Sequence, residues 1–224
     1  MRTGLFLQAR IGSQRLPRKA LLPLDGLTVL EAAMRALAQV PADIYAVLTD
    51  AASAAEFRPL AERCGFEVFV GPEEDVLERF CLAVGEYRVE RVVRATGDNP
   101  LVSPAQVQGL LRLQGEEDFD LGHYLGPPLG TGVEVVRAAA LIEAGAHAVE
   151  PFEREHITTH LYRNRDRFRV VEPTAPSRWC LAEGRVTVDT EEDYHRVRAL
   201  FAELYRGAPI ETEEVVTWLR GQQS

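Results

Sequence analysis

Short apolar runs alternate with amphipathic segments along most of this 224-residue chain. Residues 4–7, 44–48, 67–70 and 91–95 are rich in apolar side chains and have the length of buried strands. The segments between them carry apolar residues three and four positions apart, which is typical of helices with one buried face. Strands that alternate with helices in this way predict a mostly parallel sheet with helices on both of its faces.

Capping signals mark where several of the predicted helices begin and end. Thr28 with Glu31, and Thr190 with Asp193, have the spacing of a capping box, and a strand is predicted to end at Asp189, just before the second box. Gly65 follows the second helix and ends it. Further helices are predicted from about residues 54, 76, 104, 153 and 213. Residues 119–123 and 133–136 are predicted to form two short antiparallel strands.

The bulk composition limits the class of protein. At 224 residues and 46% hydrophobic content the chain predicts one domain over residues 1–224. A formal net charge of −9 argues against duplex nucleic acid or an anionic membrane as a partner. Cys64, Cys81 and Cys180 lack the spacing of a metal site, so free thiols are expected. The chain shows neither a secretory signal nor an apolar run of roughly 20 residues, which predicts a cytoplasmic protein.

Residues 8–19 follow the first predicted strand and form a loop rich in positive charge. Arg10, Arg15, Arg18 and Lys19 lie within ten positions of one another, with a glycine and a serine between them. Small residues and free backbone N–H groups allow close approach of an anion, so the loop is a candidate polyphosphate site. Lys19 is the only lysine in the chain, which favours a role for a compact ammonium group at this position.

Two other interpretations compete for this loop. A Walker-type phosphate loop requires glycine before the lysine and serine or threonine after it, but Arg18 and Ala20 occupy these positions. That motif is therefore excluded. A solvated surface loop rich in arginine remains open on residue types alone.

The sequence of residues 8–21 resembles the nucleotide-binding signature of the cytidylyltransferases that make CMP-activated acidic sugars. It is most similar to the spore coat polysaccharide biosynthesis protein F family. Residues 70–80, 94–101 and 188–193 resemble further motifs of that family in the same order, so the resemblance covers nearly the whole chain. It implies the α/β fold of nucleotide-diphospho-sugar transferases, a three-layer α/β/α arrangement with a mostly parallel sheet and a small antiparallel extension.

The resemblance also implies an activity and its partners. The expected reaction is Mg²⁺-dependent transfer of CMP from CTP to a small, acidic sugar with release of pyrophosphate, in surface polysaccharide or glycan biosynthesis. A homodimer is compatible with what relatives do, and no nucleic acid or membrane is expected as a partner.

Residue roles follow from the same resemblance. Arg10, Arg15 and Lys19 would hold the triphosphate and act in catalysis, and Asp98 and Asp189 would bind the metal. The nucleotide-binding residues would be Gln8, Ala9, Gly12, Ser13, Gly71, Asp75, Thr96 and Gly97. The sugar-binding residues would be Asn99, Glu134 and His156.

The residues alone leave simpler interpretations open for some of these side chains. Asp98 lies in a Thr-Gly-Asp-Asn-Pro turn, where an aspartate often binds the local backbone. Asp75 stands at the start of a predicted helix, where the helix dipole favours an acid. Capping by Thr190 and Asp193 does not explain Asp189, which ends the strand before them.

The predicted helix over residues 153–160 carries His156 and His160 four positions apart. A zinc pair is conceivable, but Ile157 stands where a metalloprotease has its glutamate, so structural or substrate-contacting roles are favoured. Arg163, Arg165, Arg167 and Arg169 alternate after this helix and predict a solvated face or part of a subunit interface.

Two other functions remain as alternatives. A glycosyltransferase would bind metal through an Asp-x-Asp motif, for which Asp118 and Asp120 are the candidates, although no apolar strand precedes them. A nucleotide-binding module without turnover is the second alternative. It is suggested by Val70, Leu129 and Gly132, which depart from the family pattern.

Overall fold

A computed structural model describes residues 1–222, so the last two residues of the predicted domain lie outside the described range. Its strands are β1 Thr3–Gln8, β2 Pro23–Leu24, β3 Leu27–Thr28, β4 Ile44–Thr49, β5 Glu67–Val70, β6 Arg91–Thr96, β7 Leu121–Gly122, β8 Glu134–Arg137 and β9 Val170–Val171. Its helices are α1 Val29–Leu37, α2 Ala51–Arg63, α3 Val76–Tyr87, α4 Pro104–Glu117, α5 Ala138–His147, α6 Pro151–Glu155, α7 Thr159–Arg163, α8 Glu191–Leu204 and α9 Thr212–Gly221.

The main sheet has the strand order β5-β4-β1-β6-β8-β7-β9. Strands β5, β4, β1 and β6 are parallel to one another, whereas β8 runs antiparallel to both β6 and β7. In the register of the central strands, Gln8 lies beside Leu48 and Thr96. The predicted parallel sheet with a small antiparallel extension is confirmed, and β2 with β3 adds a separate two-stranded ribbon.

Alternate residues of β1 send their side chains to opposite faces of this sheet. Leu5 and Leu7 pack with α1, α2 and α4 in one hydrophobic cluster. Phe6 packs with α3 and α5 in another. Because both faces are covered by helices, the fold is the predicted three-layer α/β/α arrangement.

A third hydrophobic cluster joins α8 and α9 to the ribbon formed by β2 and β3. Val186 and Val188 contribute to this cluster from an extended segment that precedes α8. The segment was predicted to be a strand, but it makes only an isolated bridge, between Arg185 and Leu129. It pairs with a loop and a turn instead of a strand, since Val186 N–H donates to Leu129 and Val188 N–H donates to Asp98.

The predicted capping signals are confirmed at both helices. Thr28 accepts a hydrogen bond from the Glu31 N–H at 3.2 Å, and the Glu31 carboxylate accepts from the Thr28 N–H at 2.9 Å. Thr190 and Asp193 make the same reciprocal pair at the start of α8. Gly65 ends α2 with a φ of +74°, which glycine adopts readily.

One predicted helix is divided in the structure. The segment expected to be helical over residues 153–160 ends at Glu155 and begins again at Thr159. His156 has φ −103° and ψ 82°, which ends α6. The expectation that His156 and His160 share one helical face was therefore wrong.

The remaining global features concern thiols and membrane spans. Cys64, Cys81 and Cys180 are free, as expected. Within residues 1–222, every helix is too short or too polar to cross a bilayer.

Candidate active site

A cavity of about 640 Å³ opens where the parallel strands β1 and β6 end. Backbone hydrogen bonds hold the segments after these strands together. Gly97 N–H donates to the Gln8 carbonyl at 2.8 Å, and Ala9 N–H donates to the Leu48 carbonyl at 3.2 Å. This carboxyl edge is where open α/β sheets bind their ligands.

Gly97 allows the loop after β1 and the turn after β6 to approach closely. A Cβ at this position would lie 2.8 Å from the Ala9 Cβ and 3.0 Å from the Leu30 Cδ1. A larger residue would push these segments apart. The glycine of the Thr-Gly-Asp-Asn-Pro turn is thus required by packing at the cavity wall.

Three of the four cations in the first loop line the cavity, namely Arg10, Arg15 and Lys19. The fourth, Arg18, has a left-handed backbone with φ 59° and pairs with Glu56 on α2. Arg18 therefore stands outside the cavity wall, although it neighbours Lys19 in sequence.

Lys19 lies between the two aspartates that were predicted to bind metal. Its Nζ is 2.6 Å from Asp98 Oδ2 and 2.8 Å from Asp189 Oδ1. Arg15 and Arg185 also approach Asp189, at 3.2 Å and 2.5 Å. Residues far apart in the chain therefore form one cluster of alternating charge at the cavity.

The charge around Asp189 favours its ionised form. Burial by itself would raise the pKa of this carboxyl. The hydrogen bond and charge of Lys19, together with the charges of Arg15 and Arg185, outweigh burial and lower the pKa below its usual range. Asp189 is therefore a carboxylate at neutral pH, as a metal or ammonium ligand must be.

Asp98 and Asp189 meet because their main chains are joined directly. Val188 N–H donates to the Asp98 carbonyl at 2.8 Å, which places the end of the extended segment beside the turn after β6. The capping box then fixes the direction of the chain, since the Asp193 carboxylate accepts from the N–H groups of Asp189 and Thr190. The capping residues and the candidate metal ligand thus act as one local unit.

The donor set fits a magnesium ion that arrives with a phosphate ligand. Asp98 and Asp189 offer hard carboxylate oxygens, and Mg²⁺ is commonly held by one or two carboxylates plus phosphates and waters. Among residues 1–222, no group of three or more His, Cys, Asp or Glu side chains is arranged to hold a metal ion without other ligands. A cation on these two oxygens would share them with Lys19 or displace its ammonium.

The second loop of the site, residues 71–75, is held by Arg79, which the sequence analysis did not single out. Arg79 is 2% exposed and donates from Nε to the Pro72 carbonyl at 2.9 Å and from Nη2 to the Glu73 carbonyl at 2.8 Å. A Cβ on Gly71 would lie 2.6 Å from the Arg79 Cγ. Gly71 therefore leaves the space that the Arg79 side chain occupies.

Asp75 stabilises the other end of the same loop. It caps α3 by accepting from the Glu78 N–H at 2.9 Å. Its second oxygen accepts from Arg154 Nε at 2.8 Å and Nη2 at 2.5 Å. These contacts tie the second loop to α6.

Glu134 lies in a polar network that includes Arg94, a residue of the cavity lining. Its carboxylate accepts from Tyr162 at 3.0 Å, from Thr158 at 3.1 Å and from Arg94 at 3.1 Å. Arg94 itself lines the cavity and also donates to Gln8 Oε1 at 3.2 Å. The predicted sugar-binding acid is thus behind the arginine that faces the ligand space.

Burial and the nearby Glu134 charge raise the pKa of Tyr162 far above its ordinary value. The phenol therefore remains protonated and donates to Glu134. His123 contacts the same hydroxyl through Nδ1 at 2.8 Å. The network is consequently well satisfied by protein groups alone.

The divided helix separates the two histidines. His156 lines the cavity beside Glu155, whose Oε1 lies 3.6 Å from Arg10 Nη2. His160 instead turns to Glu153, with 3.1 Å between Nδ1 and Oε2. The zinc pair considered from their spacing is therefore not formed.

Most of the predicted site residues line one cavity. Those that do so are Gln8, Ala9, Arg10, Ser13, Arg15, Lys19, Thr96, Gly97, Asp98, His156 and Asp189. The remaining predicted residues do not line it, namely Gly12, Gly71, Asp75, Asn99 and Glu134. The side-chain oxygen Asn99 Oδ1 is buried without a hydrogen-bond partner among the described residues.

Several lining residues were missed by sequence reasoning. They are Gln14, Ala20, Glu73, Val76, Arg79, Arg94 and Glu155. A usable signal existed for Arg79, since a single arginine on an otherwise apolar helix face must find partners when buried.

Asp118 and Asp120, the candidates for a glycosyltransferase metal motif, lie at the other edge of the sheet. Both pair with Arg137, which is opposite Arg91 at the start of β6. The cavity lies beyond the end of the same strand, so this Asp-x-Asp sequence is a structural ion-pair cluster.

The four arginines that alternate after α7 are each paired with a glutamate of the same chain. Arg163 contacts Glu150 and Glu153, Arg165 contacts Glu172, Arg167 contacts Glu143, and Arg169 contacts Glu117. They form a solvated surface in this chain, and a part in a subunit interface stays a prediction.

The doubly covered sheet, with a cation-rich cavity at its carboxyl edge, is an arrangement typical of α/β proteins that bind nucleotides. A family model described as "Cytidylyltransferase" matches residues 5–214, so the chain belongs to the cytidylyltransferase family.

Within that family the chain is similar to the spore coat polysaccharide biosynthesis protein SpsF of Bacillus subtilis. The two sequences are 32% identical over 223 residues, which covers 96% of this chain and 92% of the relative. The family resemblance predicted from the four motifs is thereby confirmed.

Solved structures share the fold. A cytidylyltransferase from Leptospira borgpetersenii superposes with a TM-score of 0.91 at 24% identity, covering 100% of this chain and 95% of the other. CMP:2-keto-3-deoxy-manno-octonic acid synthetase, solved in complex with CTP, superposes with a TM-score of 0.70 at 17% identity, covering 91% and 99%. At these identities the likeness concerns the fold alone.

Proposed function

We propose that this cytidylyltransferase catalyses the Mg²⁺-dependent transfer of CMP from CTP to an acidic sugar, with release of pyrophosphate. The observation that carries the proposal is the cluster of Lys19 with Asp98 and Asp189 in the cavity that Arg10 and Arg15 also line. Cations and metal-binding carboxylates at one edge of an α/β sheet are what a nucleoside triphosphate requires.

The chemistry follows from where charge develops. A sugar hydroxyl oxygen forms a bond to the α-phosphorus, the bond from that phosphorus to pyrophosphate breaks, and the hydroxyl proton is released. Arg10, Arg15 and Lys19 would neutralise the departing pyrophosphate. Held by Asp98 and Asp189, Mg²⁺ would supply Lewis-acid stabilisation of the phosphate oxygens.

The remaining predicted roles concern the nucleoside and the sugar. Loop residues 8–13, the segment 71–75, and Thr96 with Gly97 would surround the nucleotide. His156 and Arg94, which line the cavity, would contact the sugar, and Glu134 would act through Arg94, whose position it sets.

The acidity of the sugar is supported by the charge of the cavity. The chain has a formal net charge of −9, yet five basic and four acidic side chains line this space. The cavity lining thus has a small excess of basic side chains in an otherwise acidic protein. We therefore expect a carboxylated substrate to bind more favourably here than elsewhere on the surface.

Thermal denaturation with CTP, UTP, ATP or GTP, each with and without Mg²⁺, tests the nucleotide. A ligand at a hundred times its Kd stabilises the folded state by about 2.7 kcal/mol. We expect CTP with Mg²⁺ to give the largest shift. Mg²⁺ alone should give little, because the protein offers two carboxylates only.

Pyrophosphate release then tests the reaction. We expect it with carboxylated sugars, not with neutral sugars of the same size, and we expect a chelator of divalent ions to abolish it. Preferential binding of UDP-sugars, or release with neutral sugars only, would contradict the proposal.

A further inference from the structure

The two candidate metal ligands both offer an oxygen to the Lys19 ammonium. Lys19 Nζ lies 2.6 Å from Asp98 Oδ2 and 2.8 Å from Asp189 Oδ1, so one cation bridges both carboxylates. The side chains of Lys19, Asp98 and Asp189 are 14%, 25% and 17% exposed, which limits the screening of their charges by solvent. A divalent cation that used these oxygens would therefore compete with a bound ammonium and not with water alone.

Further positive charge surrounds Asp189. Arg15 Nη2 lies 3.2 Å from its Oδ1, and Arg185 Nη2 donates to its Oδ2 at 2.5 Å. Both oxygens of Asp189 thus have cationic partners within the chain. A free metal ion gains little at such a carboxylate, because the nearby positive charges of the protein oppose the attraction between the carboxylate and the metal.

The Lys19 ammonium can leave these carboxylates while the backbone of the loop stays in place. The main chain at Lys19 belongs to a short helical turn, in which the Leu22 N–H donates to the Lys19 carbonyl at 3.2 Å. Beyond this fixed backbone, a flexible four-carbon stem carries the ammonium. Arg10 and Arg15 line the same cavity, so a phosphate group held by these arginines would offer the ammonium another anionic partner.

We propose that Lys19 acts as an internal cation that keeps free divalent metal ions off Asp98 and Asp189 until a phosphate group draws its ammonium away. Metal binding thereby depends on the arrival of the nucleotide. That the phosphate belongs to CTP rests on the proposed function, whereas the competition between ammonium and metal ion does not.

Manganese binding in the absence of nucleotide tests this competition. Electron paramagnetic resonance measures the free Mn²⁺ during a titration of the protein. We expect Lys19→Met, which keeps an apolar stem without the charge, to bind Mn²⁺ about tenfold or more tighter than the wild type. Both proteins have the same carboxylates, so the number of ligands does not explain such a difference. Adding Asp98→Asn to this variant should remove the gain, because it replaces a carboxylate ligand.

Arg15→Met is the matched control, since it also removes one positive charge beside Asp189. The Arg15 side chain is 67% exposed, and the substitution leaves the contacts of Lys19 with both carboxylates in place. Its gain in manganese affinity should be about threefold or less, because solvent weakens an exposed ion pair. Equal gains in the two variants would reduce the effect to overall charge, and no gain in Lys19→Met would contradict the proposal directly.

Thermal denaturation separates this role from folding. Without the ammonium the two carboxylates repel each other, so Mg²⁺ alone should raise the melting temperature of Lys19→Met but not that of the wild type. Lys19→Gln, which keeps a neutral donor, replaces Lys19→Met if that variant does not fold. Failure of both to fold, with and without Mg²⁺, would assign Lys19 to global stability and overturn the proposal. A wild-type protein that binds no nucleotide would refute the proposed function and leave the manganese comparison intact.

Discussion

Two clusters that contain a paired carboxylate have similar burial but differ in their access to the cavity. The Asp189 side chain is 17% exposed and pairs with Lys19, whereas the Glu134 side chain is 15% exposed and pairs with Arg94. Asp189 lines the cavity, but Glu134 is enclosed by Tyr162 and other donors of the protein. Burial and pairing are therefore alike in the two clusters, and the difference is that Asp189 lines the cavity whereas Glu134 does not.

The cations of the two clusters also differ, in how readily each can exchange its carboxylate partner for a ligand. The Lys19 ammonium sits on a flexible stem and can leave its carboxylates for a phosphate. Arg94 is a planar group held by Glu134 on one side and by Gln8 on the other. We infer that the first cluster exchanges partners when a ligand binds and that the second keeps its geometry.

The largest effect is expected when a residue of the first cluster, formed by Lys19, Asp98 and Asp189, is replaced. Lys19→Ala or Asp98→Asn should lower kcat with CTP by about a hundredfold or more, since such groups stabilise charge that develops in the transition state. Steady-state kinetics, with the melting temperature measured on the same samples, would test this.

Arg18→Ala is the control for the lysine. Arg18 adjoins Lys19 in sequence but pairs with Glu56 at the exposed surface, so its loss should leave kcat within a few-fold of the wild type. A similar loss of rate in Arg18→Ala and Lys19→Ala would mean that general loop disturbance, and not the ammonium, explains the effect.

An intermediate effect is expected when the second cluster, formed by Glu134, Arg94 and Tyr162, is changed. Glu134→Gln should lower the free energy of unfolding by roughly 1–3 kcal/mol, because Arg94 loses its charged partner and buried donors lose an acceptor. Chemical denaturation measures this change, and the stabilisation by CTP should persist. If stability stayed the same while the KM for the sugar rose strongly, Glu134 would be a direct sugar ligand.

The smallest effect is expected for Tyr162→Phe. This change deletes one hydroxyl that donates to Glu134, and it should cost about 1 kcal/mol of unfolding free energy. Because both residues belong to one network, the double variant with Glu134→Gln should lose less stability than the two single losses combined. Strict additivity in this cycle would show that the two groups act independently.

The order of elements and the main motifs were predictable from local sequence. Capping boxes, apolar periodicity and Gly65 depend on residues within one or two turns of each other, so the three-layer fold followed from them. The first loop could likewise be predicted as a candidate phosphate site, because its cations are neighbours in the chain. The family signature then indicated which aspartates should join it.

The tertiary structure decided which of these side chains share a surface. Arg18 and Lys19 are adjacent in sequence, yet their side chains have different partners, because the backbone of Arg18 lies in the left-handed region. Asp98 and Asp189 are distant in sequence, yet one hydrogen bond from Val188 brings them together. Long-range hydrogen bonds and packing set these contacts, and local propensity carries no information about them, which is why Glu73 and Glu155 were recognised as cavity residues only once the chain was folded.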